Sequence, residues 1–92
     1  MKALVSALKV ELSRDARTLT APFTYAGTVH RGTEKIQVEA VLHADGAVTV
    51  TAADKDVAER IRLLIRAVHK QTQAEGLPTP PRKIVRWREE RV

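Results

Sequence analysis

Ninety-two residues, 43% of them apolar and 29% charged, describe one globular unit with a modest core, neither a disordered chain nor one with room for a second domain. There is no cysteine, which excludes disulfides, thiolate metal sites and a thiol nucleophile. The formal net charge is +5, with five Lys/Arg against two Asp/Glu in residues 79–92; such a balance permits attraction to nucleic acid or another anionic surface without specifying it.

At the N-terminus two periods compete. Met1, Leu4, Val5, Leu8 and Leu12 fit a helical stripe, while Leu8, Val10 and Leu12 alternate with Lys9, Glu11 and Ser13 as in a strand, so residues 1–16 read as helix or strand. Lys9 and Glu11 interrupt the N-terminal apolar run, and no run reaches the roughly 18 residues of a membrane span, so a cytoplasmic location is expected.

Three alternating segments follow, near residues 23–30, 35–43 and 47–52. Phe23, Tyr25 and Val29 alternate with Thr24, Thr28 and His30; Ile36, Val38, Ala40 and Leu42 form an inward set, with Val41 exposed among polar neighbours. Arg31-Gly32-Thr33 turns the first pair, and Asp45-Gly46 turns the second because glycine supplies the positive φ of a tight hairpin. An antiparallel meander of three strands results, or four if the N-terminus is also a strand.

The next segment, near 54–75, is a helix. Val57, Ile61, Leu64, Ile65 and Val68 make one continuous stripe, Asp54 is placed to cap the start, and Gly76 followed by Pro78 stops it. Sheet and helix each present one apolar face, and burying these against each other predicts a small two-layer α+β domain over residues 1–78.

Residues 79–92 form a Pro-led basic segment. Pro78, Pro80 and Pro81 enforce extension, and Lys83-Ile84-Val85-Arg86-Trp87-Arg88 alternates. A solvated arm has no need of Ile84, Val85 and the sole tryptophan, so an extended segment or extra strand docked on the domain is expected. Trp87 is expected to face inward, with Arg86 and Arg88 displayed outward.

Little in the chain points to catalysis. Nucleophile elbows, HExxH helices and phosphate-cradling glycine loops are missing, the carboxylates are scattered, and no cofactor, metal or small-molecule substrate is evident. The positions of His30, His43 and His69 argue against a joint site: the predicted meander puts His30 beside its first turn and His43 at the opposite end of its strand, and His69 lies on the helix flank. The element order also occurs in double-stranded-RNA-binding domains, but Asp56 and Glu59 stand where such domains need lysines at the helix start. The expectation is therefore a non-enzymatic basic binding module that contacts nucleic acid or a ribonucleoprotein through backbone phosphates. Its candidate contacts are Arg62, Arg66 and Lys70 on the helix and Arg82, Lys83, Arg86, Trp87 and Arg88 in the tail. The alternative is a module that pairs with a protein partner or with itself through exposed strand edges.

Overall fold

Alternation decides most of the backbone. The computed structural model describes residues 5–91, with side-chain surroundings for residues 8–87. In order, the elements are β1 (Val5–Arg14), β2 (Phe23–Arg31), β3 (Glu34–Leu42), β4 (Val48–Ala52), α1 (Lys55–Ala74) and β5 (Lys83–Arg91). The ambiguous N-terminus is thus a strand within the described residues, and Met1 and Leu4 of the helical alternative lie outside them. Its strand period prevails because Leu8, Val10 and Leu12 are all buried, each 5% exposed or less, whereas a helix would have spread them over one turn and a half.

All neighbours in the five-stranded sheet are antiparallel, in the order β4-β3-β2-β1-β5. Residues opposite one another share a face, so the pairings Leu12↔Gly27, Gly27↔Val38 and Val38↔Ala52 trace one row across the helix-covered side. Gly27 in that row has no substitute: a Cβ there would lie 1.8 Å from the Glu11 carbonyl oxygen. The core gathers Leu8, Val10, Leu12, Phe23, Tyr25, Val29, Val38, Ala40 and Leu42 from the sheet with Val57, Ile61, Ile65 and Val68 from α1. Ile36, of the inward set, and Val48 and Val50 on the same face are only partly buried because they sit toward the β3–β4 edge, and Val41 on the other face is half-buried rather than exposed.

Helix α1 begins and ends on designed hydrogen bonds. The Asp54 side chain caps it by accepting from the Asp56 and Val57 N–H groups at 2.8 and 3.1 Å, while its other oxygen accepts from Arg31 Nη2 at 2.9 Å. One carboxylate therefore starts the helix and ties it to the β2–β3 turn. At the far end Gly76, at φ +69, carries the chain out as the Leu77 N–H returns to the Thr72 carbonyl and the Gly76 N–H to the Gln73 carbonyl.

The Pro-rich connection is latched by its carbonyls, the only backbone groups that proline offers. Tyr25 Oη donates to the Pro81 carbonyl at 2.6 Å, and Arg14 donates from Nε and Nη2 to the Pro80 carbonyl at 3.2 and 2.5 Å. Beyond it β5 pairs along the whole of β1, with Leu12↔Ile84, Val10↔Arg86 and Lys9↔Trp87. The tail is a strand, but its faces are the reverse of those expected. Ile84 is 1% exposed on the helix-covered side, and Trp87 is 68% exposed on the open side of the sheet. The latch and the β1 register fix the phase so that Ile84 faces the core next to Leu12. Three residues farther along, an odd step that changes face, Trp87 shares the outward row of Lys9.

Two outcomes follow. In denaturant unfolding, Ile84→Ala is expected to cost about 2–5 kcal/mol through lost burial and the cavity left behind, whereas Trp87→Ala, at the surface, is expected to change stability by about 0.5 kcal/mol or less. The Asp54 carboxyl is held below its ordinary value of 3.8, chiefly by the Val57 N–H and then by the Arg31 guanidinium. A depressed carboxyl adds stability that is complete above the unfolded value and is lost as pH falls through the folded one. The stability difference between the wild type and Asp54→Asn, followed by the same unfolding, should hold constant from about pH 7 to 5 and shrink between about pH 4 and 2.

Candidate functional site

Every fourth residue of a helix returns to nearly the same face, so Arg62, Arg66 and Lys70 form a stripe along α1. The structure sets this stripe against the β3–β4 turn. Arg62, Arg66, His69, Lys70 and Gln73 on one side and Ala44 to Val48 on the other line a shallow cleft of about 510 Å³.

The turn reaches the helix because of Gly46. Its φ of +90 suits glycine, and a Cβ there would stand 3.3 Å from His69 Nε2, so any other residue would press on the imidazole. The turn is closed internally: Asp45 Oδ1 accepts from the Ala47 N–H at 3.0 Å, and His43 N–H donates to the Ala47 carbonyl at 2.9 Å. Asp45 is the one acid lining the cleft among the described residues, against three permanent cations.

Those cations differ in their partners. Arg62 is engaged by Glu59, with Nε at 3.0 Å from Oε2 and a second contact from Nη2 to Oε1. The hydrogen bond from Arg62 holds the Glu59 carboxyl below the usual carboxylate range, and Arg66 adds a smaller pull in the same direction. Among the described residues Arg66 and Lys70 form no ion pair, so their charge is directed to solvent.

The tail cations lie elsewhere. Four spacings of about 4.8 Å separate β4 from β5, so the edges of the sheet stand about 19 Å apart, with the α1 stripe over the β3–β4 side and the tail cations at the β5 edge. Arg82 and Lys83 are exposed at the start of β5. Arg86 is exposed on the helix side with Nη1 donating to the Val85 carbonyl at 2.9 Å, and Arg88 falls outside the residues whose side chains are described. Trp87 stands on the open sheet face with Lys9 Nζ 4.8 Å from its ring centroid, a cation–π contact. Lys9 also pairs with Glu11 at 2.9 Å, and His30 Nε2 lies 3.5 Å from the same carboxylate. The Lys9 hydrogen bond holds Glu11 below the usual carboxylate range, which leaves a carboxylate beside the tryptophan. The sequence pattern joined helix and tail as one set of contacts; the sheet divides them.

The contact of Lys9 with Trp87 was invisible in the sequence, since 78 positions separate them and only the β1–β5 register brings them together. His30 is remote, but His43 and His69 line one crevice with Leu19, Phe23 and Pro78, because the last turns of α1 lie over the β3–β4 turn. His43 Nε2 is 3.0 Å from Thr49 Oγ1, and among the described residues no three His, Cys, Asp or Glu side chains cluster as a metal site would need. Among the described residues, no helix is long and apolar enough to cross a membrane.

Comparison with protein-family models, with curated proteins and with solved structures finds no match, so the chemistry of the cleft rests on the chain's own geometry. If the stripe serves no structural purpose, replacing Arg66 and Lys70 together by glutamine should leave the unfolding free energy within about 0.5 kcal/mol of wild type, or raise it slightly by relieving their i,i+4 repulsion. Thermal and denaturant unfolding check this directly.

Proposed function

We propose that this protein is a non-enzymatic binding module for nucleic acid, holding the phosphate backbone without base specificity along the α1 flank. The observation that carries the reading is the convergence of Arg62, Arg66, His69 and Lys70 on one concave surface where Asp45 is the one acid among the described residues. The stripe spans about 12 Å of helix axis. Backbone charges recur every ~3.4 Å per strand of a duplex, so a stripe of that length runs past about three to four phosphates, which long side chains can reach. Arg66 and Lys70, which form no ion pair among the described residues, supply the main contacts. Arg62 joins them by exchanging part of its bond to Glu59. Arg82, Lys83 and Arg86, at the opposite edge, add long-range attraction and do not share the same contact. Trp87 is exposed enough to stack on a base, but Glu11 beside it disfavours a phosphate there.

Neutralising about three phosphates sets a slope of about −2.7 in log affinity against log salt, so binding should weaken about 100-fold between 50 and 300 mM salt. Fluorescence anisotropy with a labelled single strand and a labelled duplex tests this. Replacing Arg66 and Lys70 by glutamate should abolish binding at 50 mM, whereas Arg82→Ala with Lys83→Ala should weaken it only slightly. No binding of either probe at 50 mM salt overturns the proposal; a defined oligomer in light scattering under the same conditions would then favour pairing along the exposed β5 edge.

A further inference from the structure

The other flank of α1 has the opposite character. Helix α1 packs on β4 and β3, and on the side facing β1 and β5 it leaves a pocket of about 230 Å³. Its walls are apolar: Leu8, Val10, Val29 and Trp87 from the sheet and Val57, Ile61 and Leu64 from the helix. Its charged members among the described residues are Arg60 and Arg86, both exposed, one from each side of the opening. An apolar chamber with guanidinium groups at its rim is selective in two ways at once. The walls reject water and polar groups, and the rim favours an anion at the end of whatever enters.

From this geometry we propose a second site, between α1 and β5, that binds a small anionic amphiphile: a medium-chain carboxylate with its hydrocarbon against Leu8, Val10 and Leu64 and its head group on Arg86. Size supports that class. A dry apolar cavity of about 150 Å³ holds benzene, so about 230 Å³ takes a chain of roughly eight carbons and falls short of the roughly 300 Å³ or more of sites for larger ligands. Charge supports it as well: among the described residues Arg86 donates only to the Val85 carbonyl, which leaves the rest of the guanidinium fork for a carboxylate. The Lys9 and Glu11 side chains pair with each other on the open face of the sheet and do not compete for the head group. This site is separate from the phosphate-binding cleft, because Arg62, Arg66 and Lys70 line the opposite flank of the helix.

Octanoate titrated into the full chain, followed by methyl resonances in NMR and by calorimetry, tests the proposal. The methyls of Leu8, Val10, Val57 and Leu64 should shift together while those of Val41 stay still. Each methylene removed from octanoate should weaken binding about fourfold. Octanol, with the same chain and no charge, should bind about tenfold more weakly than octanoate, and Arg86→Ala should reduce octanoate to the level of octanol. Leu64→Trp, which fills the chamber from the partly buried side of α1, should remove the shifts in a protein that remains folded by its spectrum. Methyl resonances that do not move with octanoate at 10 mM would overturn the proposal. So would equal binding of octanol and octanoate, or shifts that persist unchanged in Leu64→Trp.

Discussion

One helix has to cover one face of a five-stranded sheet, and most of this protein's surface chemistry follows from that mismatch. Five strands about 4.8 Å apart make a face roughly twice as wide as a helix about 10 Å across. Helix α1 settles on the β3–β4 side, and its apolar stripe of Val57, Ile61, Ile65 and Val68 closes the core there. The β1–β5 side is closed by other means: Ile84, the Pro80–Pro81 connection and the stems of arginines. A helix that sits off-centre has two unlike flanks. One looks over the β3–β4 turn into solvent, where cations gather; the other looks down onto β1, where an apolar chamber remains.

The position of α1 depends in turn on two small anchors. Asp54 both caps the helix and binds Arg31, so the first turn is tied to the β2–β3 end of the sheet. Gly46 allows the β3–β4 turn to lie against His69, which ties the last turns to the opposite end. Between these ends the helix axis has little freedom. Arg14 and Tyr25 play the corresponding part for the tail: by holding two proline carbonyls they set where β5 begins, and the first paired residue sets the face of every residue after it. A shift of one residue would have buried Trp87 and exposed Ile84.

Charge is organised by the same architecture. The excess of +5 is spread over two sheet edges about 19 Å apart, and the open face between them is nearly balanced by Glu11, Glu39, Lys9 and Lys35. A basic protein of this kind attracts anions from a distance through its whole field but can hold one only where cations converge without partners. Among the described residues Arg66 and Lys70 meet that condition on one flank of α1. On the other flank Arg86, which donates to the Val85 carbonyl, stands at the mouth of an apolar chamber, so a phosphate backbone and a carboxylate with a hydrocarbon tail would each find a separate place.

The linear chain by itself determined the elements that carry a local period or a local signal. The α1 stripe from Val57 to Val68, its Asp54 cap and Gly76 stop, the Asp45-Gly46 hairpin and the alternation of β2 and β3 were all legible, because helix and hairpin geometry are set by neighbours within four residues. So was the stripe of Arg62, Arg66 and Lys70, which any helix places on one face. What required the tertiary structure was everything set by pairing between distant segments: the strand state of β1, whose two periods were equal until β2 and β5 flanked it, the outward face of Trp87, and its contact with Lys9. The separation of tail from helix cations and the chamber above β1 were settled there too. Register and layer position are decided by packing across the sheet, and a one-residue shift that leaves the local pattern untouched reverses every face.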